Sequence, residues 1–105
     1  MTLDELPTLD PEPGEVIDAE VVVDEDVLVK AFAIGPGGEI EPHEHPDCTN
    51  VFHLLSGSAT ITSGDDTENV DAPAVVHNEP GTPHGVRNDG ETPVVLTASL
   101  CPMPG

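Results

Sequence analysis

The sequence predicts an all-β domain, an antiparallel sandwich or barrel of short strands. Three observations carry that reading. Gly and Pro together number 22 of the 105 residues, so the chain turns often and leaves little room for long helices. Between the turns lie short runs rich in Val, Ile, Leu and Thr. No window repeats apolar residues at helical spacing over three turns, beyond a possible acidic turn near the N-terminus.

The expected strands are residues 20–23, 27–34, 50–55, 59–62, 68–70, 74–77, 84–87 and 93–100, each bounded by Gly, Pro, Asp or Asn. Pro36-Gly37-Gly38 and Pro80-Gly81-Thr82-Pro83 read as loops. Ser63-Gly64-Asp65-Asp66 reads as a hairpin tip, because Gly supplies the positive φ that tight turns need. In Thr60-Ile61-Thr62 the alternation gives one buried and one wet face. With Phe32 and Phe52 as the only aromatic residues, the core is built from Val, Leu, Ile and Ala. The length suits one domain. Residues 1–19 form an acidic, Pro-containing arm and residues 20–105 the barrel.

The charge excludes several functions. There are 21 Asp and Glu against Lys30 and Arg87 alone, a formal charge of −19. Nucleic acid and anionic membranes both need Lys and Arg to neutralise phosphate, so neither is an expected partner. No apolar run approaches the ~20 residues of a membrane span. Met1 to Pro7 carry Asp4 and Glu5 where a secretory leader has a basic region. The expected compartment is therefore the cytoplasm, with Cys48 and Cys101 as free thiols. Ten of the acids precede Val27 and eleven are spread from Glu39 to Glu91. Such one-signed charge repels itself in dilute buffer and is screened at molar salt. The composition resembles proteins of extreme halophiles. A calcium loop of the form Asp-x-Asp-x-Asp-Gly is absent from the sequence.

The histidines carry the functional signal. His43 and His45 are two residues apart in Glu41-Pro42-His43-Glu44-His45-Pro46. On an extended chain such side chains point to the same face, so both imidazoles can hold one metal. His84 opens another expected strand and can supply a third ligand, leaving open the remaining positions of a catalytic site. His-x-His alone reads more readily as a solvent-exposed pair with His84 unrelated to it.

The stretch Gly37-x5-His43-x-His45-x4-Asn50-x6-Gly57 resembles the first motif of the cupin superfamily, Gly-x5-His-x-His-x3-4-Glu-x6-Gly. The stretch Pro80-Gly81-x2-His84-x3-Asn88 resembles the end of its second motif, with the proline one residue closer to the glycine. The resemblance spans roughly residues 27–100 and implies a double-stranded β-helix of two antiparallel sheets with a metal inside the barrel mouth. It implies His43, His45 and His84 as ligands, Gly37, Gly57 and Gly81 as turn glycines, and Asn88 as the closing asparagine. Asn50 stands where the family usually has a carboxylate ligand. It is a weak candidate ligand through its amide oxygen, or a holder of bound water. Thiol and diketone dioxygenases in the family look like three-histidine iron sites without the glutamate.

The expected cofactor is a divalent transition metal, with Fe, Mn, Ni, Zn and Cu all open. The expected function is a small metal-binding cupin, acting as a dioxygenase, isomerase or lyase on a small organic molecule. A non-catalytic metal- or ligand-binding module is the alternative. With no carboxylate at position 50, His77, if it points into the barrel, or a metal-bound hydroxide would have to serve as base. Alternation from Asn50 sends His53 to the outer face. Cys48 reads as a small buried hydrophobe and Arg87 as half of a structural ion pair. Small cupins commonly pair, so a homodimer is expected.

Overall fold

The computed structural model describes Leu3 and residues 5–104. These form nine strands: β1 (Val16–Val23), β2 (Leu28–Ile34), β3 (Glu39–His43), β4 (Thr49–Ser56), β5 (Ser58–Ser63), β6 (Asp66–Asp71), β7 (Ala74–Asn78), β8 (His84–Arg87) and β9 (Val94–Cys101). One sheet has the order β1-β2-β9-β4-β7 and the other β3-β8-β5-β6, with every pairing antiparallel. There is no helix among the described residues, so none is long and apolar enough to cross a membrane.

Seven of the strands start and end within two residues of the sequence expectation. Two differ more. β1 begins at Val16 instead of residue 20, and it pairs with β2 from Val16 opposite Ile34. Its Asp and Glu residues alternate with Ile17, Ala19 and Val21, so the acids conceal a strand pattern. β3 lies outside the expected strands, because Pro42 and acidic residues mask it. It lies at a sheet edge, where Pro is tolerated because its missing N–H costs no ladder bond.

Antiparallel register stacks inward side chains into rows. In the five-stranded sheet Phe32, Leu96, Leu54 and Ala74 form one row, and Ile34 and Val94 lie beyond it. These face Ala59, Ile61 and Val86 of the other sheet, and together they form the main core. Fully burying each large aliphatic side chain contributes about 2 kcal/mol. Towards the opposite end of the sandwich the rows change character. Lys30, Ala98, Phe52 and Val76 come next, followed by Leu28, Leu100, Asn50 and Asn78. The matching row of the four-stranded sheet is His43, His84, Ser63 and Asp66. The Ser63 hydroxyl donates to Asn78 Oδ1 and so ties the two sheets together at this polar end.

The turn glycines sit as the motif requires. Gly37, Gly57 and Gly81 have φ of 82°, 87° and 79°, in the left-handed region. At Gly57 a Cβ would also meet the Pro93 carbonyl oxygen at 2.7 Å. Asn88 is buried and fully committed: its amide donates to the carbonyls of Ile34 and Thr92 and accepts from Gly90 N–H, all within 2.9 Å. Asn88→Ala strands two carbonyls and one amide in the interior. The expected loss is about 3 kcal/mol, equivalent to roughly 10–20 °C in melting temperature for a domain of this size. A thermal melt followed by circular dichroism measures it.

Candidate metal centre

The three motif histidines converge. One ring nitrogen from each of His43, His45 and His84 lies within 4.8 Å of the other two. Ring centroids are 5.0 Å apart for His43 and His45, 4.7 Å for His43 and His84, and 5.6 Å for His45 and His84. His43 closes β3 opposite His84, after a register shift at Glu41-Pro42. Such irregularities re-aim side chains next to functional sites. His45 follows the strand, and its carbonyl accepts the Gly81 N–H at 3.0 Å, so the turn before His84 is pinned to the His-x-His segment. Gly85 permits the close approach of β3 to β8, because a Cβ there would fall 2.7 Å from the Ile40 carbonyl oxygen.

The site is graded from floor to rim. His84 is buried at 2% exposure with its ring against Phe52, His45 is half-buried and His43 is exposed. His43 Nδ1 donates to the Glu41 carbonyl at 2.9 Å, and His84 Nδ1 to that of Thr82 at 2.8 Å. Each bond fixes the tautomer and leaves the Nε2 lone pair free, the usual preparation of a metal ligand. His84 Nε2 is the one buried side-chain polar atom without a partner among the described residues. A metal ion held by the three rings would supply that partner. Bonds of 2.0–2.1 Å to one ion need nitrogens about 3 Å apart, so the rings would have to close in on a bound ion from their present spacing.

Burial favours the neutral form of His45 and His84, the form a ligand needs. Desolvation, then the neighbouring His43, lowers the pKa of His45. Desolvation also lowers that of His84, against an opposing contribution from its bond to Thr82. Both folded values therefore lie below the ordinary 6.5. In metal-free protein the unfolded chain takes up these protons first as the pH drops, so their contribution to stability is lost below about 6.5. Neutralising surface carboxylates acts in the opposite direction, so the test compares variants. Between pH 7.5 and 5.5, chelator-treated wild type should lose more, or gain less, in melting temperature than His84→Ala.

Other expected site residues fall in different places. Asn50 is buried and faces the same cavity as His43 and His45. Its Oδ1 accepts the Asn78 amide at 2.9 Å, and Asn78 in turn accepts from Ser63. The oxygen considered as a ligand is thus already engaged, and the amide NH2 is its uncommitted group. His77 does not join the cluster. It lies exposed on the outer face of β7, between the inward Val76 and Asn78, and this corrects the expectation that it enters the barrel as a base. His53 is exposed on the outer face of β4, as expected. Cys48 is buried against Leu28 and Leu100, Cys101 is exposed, and both are free. Arg87 pairs with Asp89 at 2.7 Å. Sequence reasoning missed Lys30, Ser63 and Asn78, all inward residues at the polar end.

The cupin domain family model matches residues 31–101. The chain belongs to the cupin family. Solved structures agree. A conserved protein with a double-stranded β-helix domain from Klebsiella pneumoniae is 28% identical, with 92% of this chain and 86% of that one covered and a TM-score of 0.84. A protein from Thermus thermophilus is 24% identical over 90% of both chains, with a TM-score of 0.83. A predicted oxalate decarboxylase from Thermotoga maritima is 20% identical over 86% and 83%, with a TM-score of 0.80. No curated protein matches the sequence.

The fold is thus the double-stranded β-helix of the cupins, with its three histidines at one end. Beside them the cupin encloses a cavity of about 250 Å³, floored by Phe52, Ala98 and Leu100. That is smaller than the ~300–1,000 Å³ typical of drug-sized ligands, so the space suits a small molecule.

Proposed function

We propose that this cupin binds one divalent transition metal through His43, His45 and His84 and acts on a small organic molecule in the adjoining cavity. The reaction is of the dioxygenase, isomerase or lyase type. The convergence of three imidazoles on a buried, unpartnered Nε2 carries this reading. A metal held there supplies a Lewis acid, or with iron a redox centre, beside positions left for ligand. The chain's residues supply the rest. Thr82 and Glu41 orient two imidazoles, Phe52 and Leu100 give the cavity an apolar wall, and Asn50 lines it with its amide. Elemental analysis of untagged protein purified without chelator tests the reading. About one transition-metal ion per chain is the supporting result, and less than a tenth of that is the opposing one.

The same reading is of a homodimer in a salt-rich cytoplasm, supported by the charge of −19 and by exposed valine on the outer face of the five-stranded sheet, where it lies among His53, His77 and Thr97. On that face Val75 is 63% exposed, with Val51 and Val95 half-buried nearby. Size measured in molar KCl should correspond to two chains.

A further inference from the structure

The cavity inverts the composition of the chain. One residue in five is acidic, yet none of the residues lining this cavity is Asp or Glu. Of the two cationic side chains, Arg87 is spent on an exposed pair with Asp89, and Lys30 lines the cavity. Register puts Lys30 on the inward row of β2, between Leu28 and Phe32 and opposite Ala98. Its ammonium lies 2.7 Å from Asp18 Oδ2 and 5.4 Å from the centroid of the Phe32 ring, so the partly exposed side chain lies along the cavity wall, with Glu20 opposite it in register on β1. Asp18 takes one of three N–H donors, and a half-exposed pair of this kind is weak and exchangeable. The uncommitted NH2 of Asn50 adds a second donor. Apart from the two histidines, the remaining wall is apolar.

From this we infer that the cavity takes a small organic anion, with Lys30 binding a carboxylate of that anion. The inference rests on the metal reading above for the other end of the ligand and adds the substrate class. It also gives Asn50 a physical reason. Lys30 is already paired with Asp18 and has Glu20 opposite it on β1. The charge that would draw an anion in is therefore that of the divalent ion on three neutral imidazoles together with Lys30, and a carboxylate at position 50 would offset it. Neutral ligands rich in hydroxyls gain little from walls offering donors and hydrocarbon without carboxylate acceptors.

The experiment begins with zinc titration of untagged wild type, Lys30→Met and Lys30→Arg, followed by calorimetric titration of the zinc-loaded proteins with malonate, succinate, glutarate and butyrate. Zinc affinity should be the same in all three. One dicarboxylate should bind wild type at least tenfold more tightly than butyrate. Lys30→Met, which keeps the aliphatic stem, should lose that advantage, and Lys30→Arg should keep most of it. A dicarboxylate affinity within twofold in Lys30→Met and wild type overturns the proposal, as does a wild type that prefers no dicarboxylate over butyrate. A chain that takes up no zinc overturns the metal reading instead. The anion site is then decided by titrating metal-free wild type and Lys30→Met, where tighter dicarboxylate binding by wild type supports it and equal binding overturns it.

Discussion

His84→Ala is expected to reduce metal affinity by more than about a hundredfold, exceeding the 10–100-fold cost of losing a residue that only supports a ligand. His84 is the buried floor of the cluster, and among the described residues no other His, Cys, Asp or Glu joins it from that side. Its loss should barely alter the metal-free fold. The substitution empties space beside Phe52, which is unfavourable, but it also removes a buried Nε2 that has no partner, which is favourable by about 1–3 kcal/mol. The readout is the metal-induced rise in melting temperature. At a free metal concentration one hundred times Kd, wild type gains about 2.7 kcal/mol, or roughly 10–20 °C in a chain of this length. His84→Ala should show almost none of that rise. His77→Ala and His53→Ala should keep all of it, because both rings lie on the outer face. A full rise in His84→Ala would remove the three-histidine centre from consideration.

The histidine cluster is legible in the sequence because turn chemistry and the spacing of the histidines reinforce each other. Gly37, Gly57 and Gly81 each demand a left-handed turn, and those turns bring His43, His45 and His84 to one end of the barrel. The residues that modify the cluster are harder to read. Val75 and Val76 are both apolar, so β7 has no clean alternation, and nothing local shows that His77 faces outward. Asn78 is a good hydrogen-bonding partner only because register sets it opposite Asn50, a relation between strands far apart in sequence. Lys30 does carry a signal. Leu28, Phe32 and Ile34 mark the inward row of β2, and Lys30 occupies the position between the first two. A lone lysine in an acidic chain reads naturally as a surface counter-charge, and that masks its placement.

The second large effect is expected at Asn50. Asn50→Asp keeps the shape of the side chain and the bond from Asn78, while giving the second oxygen a negative charge at a site that is 2% exposed. Without metal that charge is buried, and the cation across the cavity, Lys30, is already paired with Asp18, so the melting temperature should fall by roughly 10–20 °C, corresponding to about 3 kcal/mol. With metal the sign reverses, because the carboxylate now faces a divalent cation ligated by three neutral imidazoles. Affinity should rise about tenfold or more, and the metal-induced rise in melting temperature should exceed that of wild type by about the amount the metal-free variant lost. Asn50→Glu, with the residue the cupin motif usually carries, reaches further into the cavity and should show the same direction. The gain in metal binding should come with weaker binding of carboxylates, since the new charge opposes Lys30 across the same space. Tighter metal together with weaker anion binding in one variant would separate the two demands on this position. Unchanged metal affinity in both variants would show that position 50 lies outside the reach of the ion.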